Sequence, residues 1–379
     1  MISKLLPAFA LFFVSCSSMR SPIVDGAKPK DHGAIGATEG PAWKDGSLYF
    51  TDGKHINRMG PDGKTSVFRH NASNGLLFDR EGRLVACETK NRRVTRTEKG
   101  GSITVLADRF EGKRFNSPND LCMDSKGRIY FTDPRYGSRE GMEIPRKCIR
   151  NEMIHSYPNH NNPCVRLIGG IFDCFHVYSD LSATSVNGRA VKLGLSASKL
   201  DELLSTGCFL ERYSTYEEGV YRIDSPGKVT KVMNGGGQFR LERPNGILIS
   251  PDDRFLFIAD NNNNTHGGSR KLIRYELGSN GDVKVESRKV LFDWKDGRGP
   301  DGMKMDAAGR IYVVAGTNTA TEFETTRFKA GCYILSPSGR LIDFIPTAPD
   351  EACNCTFGGA DGKTLFITSG GHLWSVPLK

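Results

Sequence analysis

The stretch "MDSKGRIYFTD", residues 123–133, has the pattern of a β-hairpin. Met123 ends a short apolar run, and Asp124 to Gly127 supply the polar residues and the glycine of a tight turn. The residues from Ile129 to Thr132 are β-branched or aromatic. Two apolar runs separated by such a turn predict a pair of antiparallel strands.

The same pattern occurs six times along the chain. The copies are "WKDGSLYFTD" (43–52), "FDREGRLVACE" (78–88), "MDSKGRIYFTD" (123–133), "ISPDDRFLFIAD" (249–260), "MDAAGRIYVVAG" (305–316) and "GGADGKTLFITS" (358–369). Where nothing interrupts them, they follow one another at roughly 35–55 residues, which is the length of a propeller blade. The sequence therefore predicts an all-β fold, a six-bladed β-propeller over residues 30–379.

One interval between the copies is much longer than the others. Asp133 and Asp260 are 127 residues apart, and the excess predicts an insertion within one blade, over residues 143–216. A long loop is tolerated because its closure entropy grows slowly with length. Its cysteines and histidines match no compact zinc pattern. A disulfide-linked lid, a surface insertion and a poorly ordered segment are the open alternatives.

Composition limits the class of protein. The chain has 379 residues, of which 38% are hydrophobic and 25% charged, so we expect a folded globular protein. The formal net charge of +9 fits solubility or attraction to an anionic cell surface. We expect no nucleic-acid partner, because the sequence contains no zinc finger, aromatic RNP-like motif or basic helix.

The N-terminus, "MISKLLPAFALFFVSCSS", resembles an export signal over residues 1–16. Its apolar stretch of about ten residues is too short to span a bilayer as a mature helix. Cys16 follows Val14-Ser15 as in a bacterial lipobox, so we expect lipidation at Cys16, with plain cleavage as the alternative. Both predict an exported bacterial protein, either periplasmic or a membrane-anchored lipoprotein whose membrane contact is this anchor.

Polar residues stand at one equivalent position in the repeats. Asn74, Asn119 and Asp301 each lie eight residues before the glycine of their turn, Asn245 lies eight before Asp253, and Glu39 lies seven before Gly46. In the sixth repeat, Asn354 or Cys355 falls at this position. Equivalent residues entering the innermost strands of a propeller point to its axis, so we expect these side chains to converge.

Converging carboxylates and carboxamides need a partner. Ca²⁺ takes about 6–8 oxygen ligands, including Asp, Glu and Asn, whereas this set offers no histidine or thiolate for zinc. We therefore predict a Ca²⁺ site, with another divalent ion as the alternative. Asn-Gly and Asp-Gly pairs are also ordinary turn signals. Asn74 is the member best explained in that way, and we expect it to line the pocket rather than to touch the ion.

At these residues the chain resembles the SMP-30/gluconolactonase/LRE family, six-bladed propellers that hydrolyse lactones with a divalent metal. The resemblance covers nearly all of 30–142 and 217–379. The motifs that carry it are "TEGPAW" (38–43), "SPND" (117–120), "RPNGI" (243–247), "GPDGM" (299–303) and "CTFGG" (355–359). Singly each is weak, and together they are specific.

The resemblance implies a set of site residues and a reaction. Glu39, Asn245 and Asp301 would be metal ligands, and Asn119 would be a further ligand or a substrate contact. Asp301 would double as the general base, with Asp120 as a second acidic group beside the site. The reaction would be hydrolysis of a lactone, a small-molecule substrate, to its hydroxy acid by a metal-polarised carbonyl and an activated water.

The sequence also departs from the family pattern. Animal members place an arginine where this chain has Ser117, and an acidic substrate contact near Gly137. Arg135 and Tyr136 are therefore candidate substrate contacts from that loop, together with Asn74. Two alternatives stay open: a non-catalytic propeller that binds carbohydrate or protein at its channel face, and a propeller hydrolase with another substrate.

Overall fold

Six four-stranded antiparallel sheets follow one another along the chain and form the blades of a propeller. The computed structural model describes residues 20–72, 74–136, 175–177, 182–185, 190–192, 218–234, 241–348 and 350–379. Within these ranges all regular elements are strands, and no helix is long and apolar enough to cross a membrane. The predicted signal segment and Cys16 lie outside them.

The strands follow the order of the blades. After β1 (Lys30–Ala37), blade 1 comprises β2 (Glu39–Lys44), β3 (Ser47–Thr51), β4 (His55–Met59) and β5 (Thr65–His70), and blade 2 comprises β6 (Leu76–Phe78), β7 (Leu84–Glu88), β8 (Arg93–Thr97) and β9 (Ile103–Ala107). A two-stranded ribbon follows, formed by β10 (Arg109–Phe110) and β11 (Lys113–Arg114).

Blade 3 contains the insertion. It begins with β12 (Leu121–Met123) and β13 (Ile129–Asp133), and the inserted segment contributes a separate sheet of β14 (Phe175–Val177), β15 (Ser182–Ser185) and β16 (Ala190–Lys192). The blade is completed by β17 (Gly219–Ser225) and β18 (Lys228–Asn234). Asp133 pairs with Gly219, so the insertion leaves and rejoins the blade at one end of its two central strands.

The last three blades close the ring. Blade 4 comprises β19 (Pro244–Ile249), β20 (Phe255–Asn261), β21 (Arg270–Leu277) and β22 (Val283–Asp293), and blade 5 comprises β23 (Pro300–Met305), β24 (Ile311–Ala315), β25 (Gly331–Leu335) and β26 (Leu341–Pro346). Blade 6 comprises β27 (Ala352–Gly358), β28 (Thr364–Ser369), β29 (Gly371–Pro377) and, as its outer strand, β1. The N-terminal strand thus completes the C-terminal blade and leaves no gap between the first and last repeats.

In blades 2, 3 and 5 the repeated hairpin is built by one arrangement of aspartate and arginine. In blade 3 the Asp124 Oδ1 accepts hydrogen bonds from the backbone N–H of Lys126 (3.0 Å) and Arg128 (2.9 Å). The Arg128 Nε donates to the Asp124 Oδ2 over 2.7 Å. Gly127 takes the left-handed conformation that the turn requires, with φ of 79°. In blade 4, Asp253 replaces this glycine and adopts φ of 56°.

The apolar core lies between blades rather than at the axis. Each of six buried clusters combines residues of two neighbouring blades; for example, Val85 and Cys87 of blade 2 pack with Phe131 and Tyr221 of blade 3. Each innermost strand also contacts the innermost strands of both neighbouring blades. The packing therefore holds the starts of six strands around one axis, where the polar residues stand.

Candidate functional site

In blades 1, 4, 5 and 6 the polar position of the repeat coincides with an irregularity in the innermost strand. From Glu39 to Ala42 that strand advances three residues while its partner advances two, from Thr51 to Tyr49. One extra residue also lies between Pro244 and Ile247, between Pro300 and Met303, and between Ala352 and Asn354. Such a bulge breaks the alternation of faces and re-aims side chains. It explains why residues that disfavour strands head these strands.

The glycines that follow the polar residues serve close packing between blades. A Cβ atom at Gly40 would overlap the carbonyl of Asn74, and one at Gly246 would overlap the carbonyl of Asp301. A Cβ at Gly302 would overlap the side chain of Asn354 in the next blade. Asn245-Gly246 and Asp301-Gly302 therefore lie within strands as packing positions, and not in turns.

Threonine hydroxyls tie neighbouring blades at the same level. The Thr132 Oγ1 in blade 3 donates to the backbone oxygen of Asn245 in blade 4 over 2.6 Å. The Thr51 Oγ1 in blade 1 donates to the backbone oxygen of Asn74 in blade 2 over 3.3 Å. These contacts fix the backbone of the polar residues and leave their side chains available at the axis.

Five buried side-chain oxygens at this end of the axis accept no hydrogen bond from the residues that the structure describes. They are Asn74 Oδ1, Asn119 Oδ1, Asp120 Oδ2, Asn245 Oδ1 and Asp301 Oδ1. Burying an unpaired polar oxygen costs about 1–3 kcal/mol each, and five acceptors in one place have no donor to share. A cation would satisfy several of them at once, so the residues present fit the ion that the sequence predicts.

The three carboxylates of the site, Glu39, Asp120 and Asp301, accept few hydrogen bonds from the described residues. Glu39 Oε2 accepts hydrogen bonds from the Gly40 N–H (2.8 Å) and the Asn354 Nδ2 (3.1 Å). Asp120 Oδ1 accepts one from the Leu121 N–H at 2.9 Å. Loss of hydration and then the charge of Asp120 raise the pKa of Glu39. Burial and then the charge of Glu39 raise the pKa of Asp301. Without a cation these groups do not ionise together near neutral pH.

Asp120 lies deeper against basic and amide groups. Burial raises the pKa of Asp120, although the charge of Lys304 and a hydrogen bond from Asn354 act in the opposite direction. Lys304 also lowers the pKa of Glu39, so its positive charge favours the ionised form of both carboxylates. The sequence analysis did not single out Lys304, because a lysine inside an innermost strand matches no site motif.

The sixth blade contributes two consecutive side chains to the site. Asn354 is the member at the repeated position, whereas Cys355 is fully buried between blades 5 and 6. One oxygen of Glu39, one of Asp301 and the Cys353 Sγ all lie within 4.8 Å of one another. Burial raises the pKa of the Cys353 thiol well above its ordinary value. Sequence reasoning missed Cys353, because it is the extra residue of a bulge that the repeat pattern does not reveal.

Arg298 is another residue that the sequence did not predict as part of the site. It precedes β23, and its Nη1 lies 3.9 Å from the Glu324 Oε2. Burial acts to lower the pKa of Arg298, but the negative groups near it, among them Asp301 and Glu324, raise the pKa overall. A positive charge therefore stands beside Asp301. The nearest sequence signal is its position three residues before Asp301, in the loop that enters the strand.

The two predicted substrate contacts after β13 lie in different settings. The Tyr136 Oη donates to the backbone oxygen of Asn261 over 2.7 Å and is 3.5 Å from the Asn245 Nδ2. Tyr136 therefore lies beside Asn245, one of the polar residues that head the innermost strands. The Arg135 Nε donates to the Glu218 Oε1 over 3.0 Å, so its guanidinium is paired rather than directed at Asn245.

Ser117, which stands where animal members of the family place an arginine, has a structural role. It is 1% exposed, and its backbone N–H donates to the Asp133 Oδ1 over 2.8 Å. Its hydroxyl donates to the backbone oxygen of Pro134. Asp133 also accepts from the Asn116 N–H over 2.9 Å. These bonds hold the segment that leads to Asn119, and a larger side chain would disturb them.

Comparisons with known proteins agree with the architecture. The family described as SMP-30/gluconolactonase/LRE-like region matches residues 37–167 and 204–371. The gluconolactonase of Zymomonas mobilis subsp. mobilis is 25% identical over 368 residues, which cover 90% of this chain and 78% of that protein. A 6-deoxy-6-sulfogluconolactonase of Pseudomonas putida is 30% identical over 266 residues, which cover 64% of this chain and 76% of that protein.

A solved structure shares the fold over nearly the whole chain. A gluconolactonase from Xanthomonas campestris superposes with a TM-score of 0.61 at 24% sequence identity. The superposition covers 94% of this chain and 92% of that one.

Proposed function

The chain belongs to the SMP-30/gluconolactonase/LRE-like family, and from this membership we propose that it is a metal-dependent lactonase. It would open a sugar-derived or similar lactone to the hydroxy acid. The relatives named as a gluconolactonase and a sulfogluconolactonase support this substrate class. The observation that carries the proposal is the group of five buried oxygens without hydrogen-bond partners at the axis.

Glu39, Asn245 and Asp301 would hold the ion, with Asn119 as a fourth ligand or a contact to substrate. The oxygen donors favour Ca²⁺, and another divalent ion is the alternative. When bound, such an ion supplies Lewis acidity for the lactone carbonyl and makes a water molecule more acidic. Side chains of this chain would carry out the remaining steps.

Asp301 is the proposed general base. Its Oδ1 accepts no hydrogen bond from the described residues and could take the proton of the attacking water. The water oxygen then bonds to the carbonyl carbon, the ring C–O bond breaks, and the proton passes to the leaving ring oxygen. The positive charge of Arg298 beside Asp301 stabilises the negative charge that develops on the carbonyl oxygen.

Asp120 and the residues beside the proposed metal ligands would have supporting roles. Asp120 adds a second negative charge that attracts the cation. Asn74, Asn119 and Tyr136 face the bound lactone with amide and hydroxyl groups that suit its hydroxyls. The ion pair with Glu218 at its Nε leaves the terminal nitrogens of Arg135 as its candidate contacts to substrate.

A chelator experiment tests the metal, and one variant tests the base. Release of acid from a panel of lactones, including glucono-1,5-lactone, is followed before and after treatment with EDTA and after return of Ca²⁺. We expect activity to be lost with chelator and restored by the ion. Asp301→Asn should lose at least about 100-fold in kcat, within the range for removing a general base. The exposed Asp62→Asn is the matched control, with unchanged rates.

Two outcomes would reject the proposal. Turnover that persists in EDTA would exclude a metal mechanism. Binding of a divalent ion without turnover of any lactone would favour a propeller that only binds carbohydrate or protein at its channel face.

We further propose that the N-terminal signal exports the protein and that Cys16 carries a lipid anchor. Membrane fractionation of the full-length chain and of Cys16→Ser tests this. The proposal requires the wild-type chain in the membrane fraction and the variant in the soluble fraction; the same distribution for both would reject it.

A further inference from the structure

We propose that Cys353 is a ligand of the metal site, so that the site prefers a thiophilic divalent ion such as Zn²⁺ over Ca²⁺. This inference rests on the proposed metal site and names the class of ion that it selects. The oxygen donors alone favour a hard cation. A thiolate added to carboxylates changes the preference, because soft donors favour Zn²⁺ and similar ions.

The distances suit a shared ion. The Cys353 Sγ, one oxygen of Glu39 and one oxygen of Asp301 lie within 4.8 Å of one another. Around a tetrahedral Zn²⁺ ion, ligand atoms lie about 3.3–3.7 Å apart, given bonds of about 2.3 Å to sulfur and about 2.0–2.2 Å to oxygen. Small side-chain rotations would therefore bring all three atoms onto one ion.

The bulge in β27 makes this placement possible. Ala352 pairs with Ser369 and Asn354 pairs with Thr368, so Cys353 is the extra residue between them. In a regular strand, consecutive side chains point to opposite faces. Here Asn354 donates to the Glu39 Oε2 over 3.1 Å while the Cys353 Sγ also lies near Glu39. The bulge thus gives the site a donor that a regular strand would direct away.

Independent features point to a ligand at the same place. Asp301 and Asn245 are 6% and 4% exposed, and the Oδ1 atom of each has no hydrogen-bond partner. Within the described part of the chain, the Cys353 Sγ donates only to the backbone oxygen of Glu351, over 2.8 Å. Loss of that proton to solvent would free the sulfur to bind a metal.

The charges near the site balance in this arrangement. Two carboxylates and one thiolate around a divalent ion leave a net charge of −1. The guanidinium of Arg298, whose pKa is raised by the acidic groups near it after the opposing effect of burial, compensates that charge.

Other described cysteines lack this setting. Cys87, Cys332 and Cys355 are fully buried within the clusters between blades, where no carboxylate ligand joins them. Cys122, on β12, is partly buried and packs against the cluster between blades 3 and 4. Cys122 is therefore a suitable control for substitution of a partly exposed thiol.

Cobalt spectroscopy tests the ligand directly. The full chain is stripped with chelator and titrated with Co²⁺, whose ligand-field bands report binding and whose near-ultraviolet charge-transfer band reports a bound thiolate. We expect both bands in the wild type and in Cys122→Ser. In Cys353→Ser the ligand-field bands should remain and the charge-transfer band should disappear. Zn²⁺ affinity should fall at least about tenfold, the lower end of what even outer-shell partners contribute, and Ca²⁺ affinity should not.

A second measurement uses the unaltered protein. The rate of alkylation of Cys353 by iodoacetamide is followed by mass spectrometry of its peptide, and we expect Zn²⁺ to slow it at least tenfold while Ca²⁺ does not. Co²⁺ bound without a charge-transfer band, or Zn²⁺ that leaves this alkylation rate unchanged, would overturn the role of Cys353 and leave the proposed oxygen site standing. A wild-type chain that binds no divalent ion would overturn both proposals.

Discussion

Replacing Gly302 by alanine should disturb the site through the neighbouring blade. The new Cβ would overlap the side chain of Asn354, whose Oδ1 accepts from the Cys355 N–H (2.8 Å) and whose Nδ2 donates to Glu39 (3.1 Å). Overpacking of this kind costs about 1–3 kcal/mol. If Asn354 turns away, loss of a hydrogen bond to a charged group adds about 1.5–3 kcal/mol. We expect a total loss of about 2.5–6 kcal/mol.

Urea unfolding measured with and without saturating metal checks this expectation. A ligand that binds the folded chain adds stability that grows with its affinity. Gly302→Ala removes the amide that positions the proposed ligand Glu39, so metal affinity should fall. The loss of unfolding free energy relative to the wild type should therefore be larger with metal present. Gly100→Ala is the matched control, because no atom lies within 4 Å of its added Cβ. That substitution should change stability by less than about 0.5 kcal/mol. Equal unfolding midpoints for the two variants would refute the argument from close packing.

Three further expectations follow from the same geometry. Burial and then the charge of a neighbouring carboxylate raise the pKa of Glu39 from 4.5 to about 7. Because the folded state then binds the proton more tightly than the unfolded state, the metal-free chain should lose stability as pH rises through this interval. Thermal midpoints that rise over this interval in EDTA, or that fall as steeply with saturating metal, would contradict this expectation. Tyr136→Phe should raise KM for polyhydroxylated lactones more than for an unsubstituted lactone while kcat changes little, and a uniform loss of kcat would exclude a role in substrate binding. Thr132→Val should cost about 1 kcal/mol by removing the 2.6 Å bond to the backbone of Asn245 and should weaken metal affinity, as calorimetry would show; unchanged affinity would mean that the hydroxyl does not position Asn245.

Local chemistry made the repeating unit predictable. The hairpin depends on contacts within a few residues, such as those of Asp124 with Arg128, and these are written directly into the sequence. The common offset from the turn also identified Glu39, Asn119, Asn245 and Asp301 as one set. Because every blade uses the same unit, six weak local signals add to a strong prediction of the architecture and of where its polar residues meet.

Contacts between blades were not predictable in this way. The sequence left Asn354 and Cys355 as alternatives, and it allowed the Asn-Gly pairs to be taken for turns. The bulge in β27 decided the first question, and the overlap that any side chain at Gly246 would cause with Asp301 decided the second. Both depend on residues that are distant in sequence and adjacent only after the ring closes.

The sequence by itself determined the hairpin unit, its six repeats and the oxygen-bearing residue that heads the innermost strands. These properties follow from turn chemistry and the alternation of side chains along a strand. The tertiary structure alone decided that Cys353 and Arg298 join Glu39 and Asp301. The physical reason is that a bulge changes the face to which a side chain points, and only closure of the ring brings side-chain atoms of blades 1, 5 and 6 within 4.8 Å of one another.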